Sequence, residues 1–279
     1  MTVGIVVNRT KKLADLYYEK LSSAFSARGM EVISSVNNEE TAELYERADI
    51  IVSLGGDGTF LKTASGALEK DIPIFGFNLG TIGFLTEFEP DSIDTTVRRI
   101  CDGDYAIEER NVLEIWILKG DGRELFGYAV NDAVIMREID ANVCSLSVEI
   151  NDSFVATYSG DGIIVATQTG STAYSLSAGG PIIEPGNDVL LITPICSHKM
   201  GSRTIVARPD SLITVKPKDK AKKLRLVADG NRFRRLCENE TVVCKASGKK
   251  VRILRIDPPN FYQTVAEKLF GDTKEESDA

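Results

Sequence analysis

Segment 54–59, with the sequence LGGDGT, places three glycines around a single aspartate. The apolar run 50–52 precedes it and a helical pattern beginning at Phe60 follows it, which predicts that the glycines lie at a strand-to-helix turn. The first amide groups of a helix have no intrahelical partners and favour anions such as phosphate. Because glycines let the oxygens of a ligand approach the backbone closely, the segment indicates a phosphate site.

Asp57 is the unexpected residue in this segment, because bound phosphates repel a carboxylate. It therefore needs a compensating role: a metal ligand, a base for a hydroxyl proton, or a simple helix cap. In the structural alternative, Asp57 and Thr59 cap the helix and the glycines only form a turn, an arrangement worth about 1 kcal/mol. Three glycines around one aspartate are more than a cap requires, which favours the phosphate site.

The first part of the chain alternates strand and helix patterns. This alternation predicts a Rossmann-like parallel sheet covered by helices on both faces, with ligands at the carboxyl ends of the strands. Strands are predicted at 2–7, 31–34, 50–54 and 73–77, and helices at 11–28, 39–47, 60–68 and 91–101. Segment 78–87 follows the fourth strand, so it begins at the same edge as Asp57; its Gly80 and Gly83 equally fit ordinary turns.

Beyond Gly103 short strand patterns follow one another with almost no helix between them, which predicts an antiparallel β-sandwich. The strands are expected at 112–119, 125–130, 144–150, 154–158, 163–167, 189–192, 212–215, 224–228, 241–246 and 251–256. A final helix, 260–270, is expected to pack against the first domain. We therefore predict an α/β domain of residues 1–103 together with helix 258–271, a sandwich of residues 104–257, and a disordered tail, 272–279.

Two polar groups in the second half are candidate ligand contacts. Asn131 and Asp132 stand before an apolar strand, as either a turn or a clamp for sugar hydroxyls. Segment 158–162 and segment 169–181 form the other group, in which five Ser and Thr residues and one Tyr lie within nine positions. Such side chains leave room for a flat ligand while offering donors and acceptors, although a short capped helix would explain part of the run.

Composition excludes several classes of function. The net charge of -8 argues against nucleic acid as a partner. The sequence contains no run of 18 or more apolar residues, so it predicts no membrane-spanning helix. We therefore expect a soluble cytoplasmic protein. Five cysteines without a C-x-x-C pair and a single histidine do not form a zinc or histidine-rich metal motif, and the sequence has no Walker A, G-x-G-x-x-G or protein-kinase motifs.

The motifs in this order and spacing resemble the NAD kinase family. They are residues 55–59 (GGDGT), 78–85 (NLGTIGFL), 131–132 (ND), and 161–162 (DG) with 169–181, and the similarity extends over nearly the whole chain. The resemblance implies transfer of a phosphoryl group from ATP, or from polyphosphate, to the 2′-hydroxyl of the adenosine ribose of NAD, giving NADP. It also implies a divalent ion such as Mg²⁺, an α/β domain followed by a β-sandwich, and a homodimer or homotetramer.

By the same resemblance, Asp57 is the base that accepts the hydroxyl proton, and no residue is assigned to metal binding. The other residues that the resemblance implies in nucleotide and dinucleotide binding are Gly55, Gly56, Gly58, Thr59, Lys62, Asn78, Phe84, Asn131, Asp132, Ser159, Asp161, Thr169, Thr172, Ala173, Tyr174, Ser175, Ser177 and Asn231. The resemblance also implies that Asp161 reaches a bound nucleotide, either in its own subunit or in a neighbouring one.

Three positions depart from the family pattern: Ser159 replaces a common basic residue, Gln168 a common proline and Asn231 a common glutamine. The first departure bears on the choice between NAD and NADH, and none of the three involves Asp57.

Two other functions stay open from sequence. The first motif is shared with diacylglycerol and sphingosine kinases, and a non-catalytic dinucleotide-binding protein would use the same scaffold.

Overall fold

The computed structural model describes residues 1–36, 42–79, 83–86, 92–139, 141–218, 223–257 and 260–271. The chain divides into two compact units, one formed by Met1–Glu109 with Val251–Ala279 and the other by Arg110–Lys250. Domain boundaries at 103/104 and 257/258 remain predictions. Several predicted features lie outside the described residues: the start of the helices at 39 and 91, Gly80, the two prolines at 258–259 and the tail.

The first unit is built on a parallel sheet, as predicted. In chain order its elements are β1 Thr2–Val7, α1 Ala14–Ser26, β2 Glu31–Val36, α2 Ala42–Arg47, β3 Ile50–Gly55, α3 Asp57–Lys70, β4 Ile74–Asn78 and α4 Ile93–Cys101. The sheet order is β2-β1-β3-β4, and a later strand joins β4 in parallel through Ile253. All residues of β3 and β4 are buried, as expected for strands covered on both faces.

The second unit is an antiparallel β-sandwich, also as predicted. Its strands, of which the first and the last extend beyond the bounds of the unit, are β5 Ala106–Lys119, β6 Gly122–Ala129, β7 Asp132–Arg137, β8 Cys144–Ile150, β9 Ser153–Gly160, β10 Gly162–Thr167, β11 Leu190–Ile195, β12 Ile205–Ala207, β13 Ile213–Pro217, β14 Leu224–Ala228, β15 Arg232–Leu236 and β16 Thr241–Arg255. One sheet has the order β12-β11-β10-β7-β14-β15, and the other runs β6-β5-β16-β13-β8-β9. Ile135, Val165 and Leu226 of the first sheet share a buried core with Leu146 and Val215 of the second.

Several sequence expectations about individual elements are wrong or incomplete. The helix predicted to begin at Phe60 begins at Asp57, so the catalytic candidate lies in its first turn. The strands predicted at 241–246 and 251–256 are one strand, because the polar stretch between them stays extended. Strands β12 and β15 were not predicted; both are sheet edges, where short or charged sequences are common and the alternating pattern is weak.

The described C-terminal residues form α6, Phe261–Val265, followed by one wider π-type turn, Ala266–Phe270. Asn260 caps α6, because its side-chain oxygen accepts the amide hydrogen of Gln263 at 3.1 Å. The ring of Phe261 lies against Phe84, with 6.3 Å between centroids, so the helix packs onto the first unit as predicted.

Candidate active site

A cavity of about 410 Å³ lies in the first unit where β1, β3 and β4 end. Parallel strands end at one edge of a sheet, so the residues that follow them converge there. The cavity is lined by Asn8, Lys11, Gly56, Asp57, Gly58, Thr59, Lys62, Asn78, Gly83 and Lys268. Six of these were predicted from sequence; Asn8, Lys11, Gly83 and Lys268 were not assigned to the site.

The carboxylate of Asp57 is held in place by the backbone of segment 83–86. Its Oδ2 accepts the amide hydrogen of Phe84 at 2.9 Å, and its Oδ1 accepts the amide hydrogens of Leu85 at 3.2 Å and Thr86 at 3.3 Å. The hydroxyl of Thr86 also donates to Oδ1, at 3.2 Å. Four hydrogen bonds of this kind fix the orientation of the side chain.

The structure does not support the helix-cap alternative for Asp57 and Thr59. The residue preceding α3 is Gly56, and no side chain caps the helix. Asp57 points instead to segment 83–86, while the Thr59 hydroxyl accepts a hydrogen bond from Nδ2 of Asn8 at 3.2 Å. No side chain therefore caps the first turn of α3, and its backbone amides at the cavity wall are available to a ligand.

The glycines around Asp57 fall into two kinds. A methyl group added to Gly56 or Gly58 would meet nothing within 4 Å, so both open directly onto space. A methyl group on Gly55 would overlap the Thr59 side chain, and one on Gly83 would overlap Oδ1 of Asp57. Gly55 and Gly83 thus allow close packing of the site, and Gly56 and Gly58 leave room for a ligand beside the helix.

The charge of this cavity suits an anion. Among the described lining residues, Lys11, Lys62 and Lys268 are cationic and Asp57 is the acidic one. The ammonium of Lys268 lies 3.6 Å from Oδ2 of Asp57. Three ammonium groups and the amide end of a helix outweigh one carboxylate, so phosphate groups are favoured despite Asp57.

A second cavity, of about 460 Å³, lies in the second unit beside the ends of β7 and β14. It is lined by Asn131, Asp132, Val134, Met136, Ala173, Tyr174, Arg225, Val227, Asp229, Gly230 and Phe233. Asn131, Asp132, Ala173 and Tyr174 are predicted site residues. The mixture of apolar walls and a few polar groups is typical of a pocket for a small organic ligand.

The carboxylate of Asp229 holds the Asn131–Asp132 turn in place through hydrogen bonds to the backbone. It accepts the amide hydrogens of Val130 at 2.7 Å, Asn131 at 2.8 Å and Asp132 at 3.1 Å. Burial raises the pKa of Asp229 to about 6, although these three amide donors lower it. Burial also raises the pKa of Asp132 to about 7, with a further contribution from the negative charge of Asp229.

The Ser and Thr side chains of segment 169–177 do not line this cavity, and several of them are bonded within the second unit. Thr169–Thr172 forms a 3₁₀ turn and Tyr174–Ser177 a single helical turn, labelled α5. Ser175 is fully buried and hydrogen-bonded to the hydroxyl of Thr193 at 2.8 Å. Thr169 is buried, the Thr172 hydroxyl donates to the Thr169 carbonyl at 3.3 Å, and Ser177 is exposed.

The remaining predicted residues of the second unit do not line the cavity. Asp161 forms an ion pair with Arg137, with 2.6 Å between Oδ1 and Nε. Ser159 lies in β9 and shares a hydrogen bond of 3.1 Å with Ser145. Asn231 is exposed in the turn after β14, where its amide hydrogen bonds to the carbonyl of Ala228 at 3.1 Å.

Models of two known domains match the chain: the ATP-NAD kinase N-terminal domain at residues 8–105 and the ATP-NAD kinase C-terminal domain at residues 130–256. The chain is 36% identical over 270 residues to the NAD kinase of Caldicellulosiruptor saccharolyticus, which covers 96% of this chain and 99% of that relative. The chain belongs to the NAD kinase family. The NAD kinase of Methanothermobacter thermautotrophicus is 35% identical over 278 residues, with 96% of each chain covered.

Solved structures show the same fold. An NAD kinase from Archaeoglobus fulgidus in complex with ATP superposes with a TM-score of 0.78 and 24% identity, over 97% of this chain and 98% of that one. Yeast NADH kinase complexed with NADH gives a TM-score of 0.85 at 22% identity, over 100% of this chain and 90% of that one. The α/β unit followed by a β-sandwich is thus the architecture of the family.

Gln168, one of the departures from the family pattern, has a structural partner in this chain. Its side chain is buried, its Nε2 donates to Asp188 at 3.3 Å and its Oε1 accepts from Asn111 at 3.5 Å. This polar group fixes the start of the 3₁₀ turn. Gly170 follows in that turn, where a methyl group would overlap the carbonyl of Asn131.

The described residues contain no group of three or more His, Cys, Asp or Glu side chains that would hold a metal ion. In the same residues, no helix is long and apolar enough to cross a membrane.

Proposed function

We propose that this protein is an NAD kinase that transfers the terminal phosphoryl group of ATP to the 2′-hydroxyl of the adenosine ribose of NAD. The activity itself follows from membership of the family. One observation of this structure carries the assignment of the site. Asp57, in the first turn of α3, faces a cavity with three lysines, and its carboxylate is held by segment 83–86.

In this reaction the ribose oxygen attacks the terminal phosphorus, the bond to the bridging oxygen of ADP breaks, and the hydroxyl proton passes to Asp57. Positioning and charge neutralisation supply most of the catalysis in phosphoryl transfer. The amide end of α3, Lys11 and Lys62 are the proposed phosphate contacts, and Gly56 and Gly58 leave the space. Thr59 and Asn78 complete the wall.

A divalent ion such as Mg²⁺, when bound with the donor, neutralises charge on the phosphate oxygens. The side-chain oxygens of Asp57 are the acidic ligands that the described part of the cavity offers to it. A single carboxylate fits an ion that is bound mainly by the nucleotide and enters the cavity with it. We propose Mg²⁺ as this ion.

We assign the second cavity to the dinucleotide. Asn131 and Asp132 offer an amide and a carboxyl group to ribose hydroxyls, and the exposed ring of Tyr174 offers a stacking surface. Asp132, with its pKa near 7, is able to donate as well as accept a hydrogen bond at neutral pH. Ser159, Asp161, Thr169, Thr172, Ser175, Ser177 and Asn231 keep their proposed binding roles as predictions.

The test is NADP formation by the purified protein with NAD, ATP and Mg²⁺, measured with an NADP-specific dehydrogenase. We expect NADP from the natural chain and very little from Asp57→Asn. Absence of NADP with ATP and also with polyphosphate would overturn the proposal, and phosphorylation of diacylglycerol in its place would favour the lipid-kinase alternative. Light scattering of the same preparation tests the predicted homodimer or homotetramer, and cell fractionation tests the cytoplasmic location.

A further inference from the structure

Lys268 reaches the first cavity from the other end of the chain. It lies in the π-type turn Ala266–Phe270 that continues α6. Within this segment, Asn260 caps α6 and Nε2 of Gln263 donates to Glu267 at 2.7 Å. Wider helical turns of this kind are frequently found at functional sites.

The ammonium of Lys268 contacts the side chains of Asp57 and Phe84. It lies 3.6 Å from Oδ2 of Asp57 and 4.6 Å from the centre of the Phe84 ring. Oδ2 also accepts the amide hydrogen of Phe84, so one residue contributes both an amide and an aromatic face to the same group of charges. The cation–π contact orients the ammonium beside the carboxylate.

The Lys268–Asp57 ion pair is loose. Its separation exceeds the usual range for a hydrogen bond between nitrogen and oxygen, and about a third of the Lys268 side chain is exposed. Asp57 does not depend on Lys268 for its position, because four hydrogen bonds from segment 83–86 hold it. The ammonium is therefore free to turn toward a stronger anion at small cost.

We propose that Lys268 binds the phosphate chain of the phosphoryl donor, exchanging its contact with Asp57 for phosphate oxygens when the donor enters. This role deepens, and rests on, the proposed function. Before the donor arrives, Lys268 offsets the charge of Asp57, which would otherwise repel the incoming phosphates. The C-terminal segment thereby completes a site whose other residues come from the first part of the chain.

Two substitutions separate charge from packing. Lys268→Met keeps a long apolar side chain against Phe84 but removes the charge, and Lys268→Arg keeps the charge. We expect Lys268→Met to raise the KM for ATP roughly ten- to hundredfold, the usual effect of losing a hydrogen bond to a charged group, while the KM for NAD changes little. We expect Lys268→Arg to remain within a few-fold of the natural chain. Lys70→Met, exposed in the last turn of α3 and outside the cavity lining, is the matched control.

Calorimetric titration with inorganic tripolyphosphate makes the test independent of turnover. We expect tripolyphosphate to bind the natural chain, the Arg variant and the Lys70 control, and to bind Lys268→Met at least tenfold more weakly. Equal binding by Lys268→Met and the natural chain, or equal weakening in the Met and Arg variants, would overturn the role of Lys268. Tripolyphosphate binding that depends on Lys268, in a protein that makes no NADP, would instead contradict only the proposed function.

Discussion

The backbone amide of Asp132 donates a hydrogen bond to the carboxylate of Asp229, 3.1 Å away; Asp132 is buried and Asp229 is partly buried. The amide of Asp229 in turn donates to the carbonyl of Asp132 at 3.0 Å. Asp229 also receives the amides of Val130 and Asn131, so its charged form is stabilised more than that of Asp132. Of the two carboxyl groups, Asp132 is therefore the one that retains its proton to higher pH.

This pair predicts that stability falls as the pH rises. Asp132 holds a proton up to about pH 7 in the folded protein and Asp229 up to about pH 6, whereas both lose it near pH 3.8 when unfolded. Between these values the folded state binds more protons, so the free energy of unfolding decreases with rising pH. Urea unfolding from pH 4 to pH 8 measures the slope.

Asp132→Asn removes the proton uptake of that side chain. The variant is therefore expected to show a weaker dependence of the free energy of unfolding on pH. The variant is also expected to be more stable than the natural chain at pH 8, because it avoids a buried charge. Asp121→Asn, an exposed residue in the turn between β5 and β6, is the control and should leave the slope unchanged. A natural chain whose stability is flat or rising between pH 4 and pH 7 would contradict this account of the pair.

Asp229→Asn is expected to disturb the Asn131–Asp132 turn. An asparagine offers one acceptor oxygen in place of two, so at least one of the three backbone amides would face an amide nitrogen. We expect a loss of about 1 to 3 kcal/mol in stability and a raised KM for NAD, with a smaller change in the KM for ATP. A uniform loss of activity without this difference between the two substrates would indicate general unfolding in place of a positioning role.

Asp57→Asn tests the proposed base. We expect NADP formation to fall by about 10² to 10⁴, the usual contribution of general base catalysis, while NAD binding measured by calorimetry persists. Because asparagine also weakens the contacts to segment 83–86, circular dichroism must show an intact fold. Turnover close to that of the natural chain would remove Asp57 from the mechanism.

Local sequence was enough to predict the parallel sheet, the sandwich and the residues around Asp57, because strand periodicity and glycine positions are local signals. Asn8 follows β1 as Asn78 ends β4, so the same rule about strand ends would have found it. Asp229 has the sequence of an ordinary Asp-Gly turn, and only the fold reveals its three amide partners. Lys268 carries no local signal, since its place beside Asp57 depends on how α6 packs.

Gly58→Ala is expected to separate stability from activity. Gly58 lies in the first turn of α3, and a methyl group there meets nothing within 4 Å. Alanine favours a helix over glycine by about 1 kcal/mol, so the variant should be as stable as the natural chain or slightly more stable. The same methyl group projects into open space at the wall of the first cavity, where it hinders phosphate oxygens, and we expect a raised KM for ATP.

Gly66→Ala, in the same helix, is the matched contrast, because its methyl group would collide with the Tyr45 ring. It should lower the melting temperature without a selective effect on ATP. Thermal unfolding and initial rates over a range of ATP concentrations measure both quantities for each variant. If Gly58→Ala leaves the KM for ATP unchanged, the donor does not approach the first turn of α3, and the phosphate site must lie elsewhere.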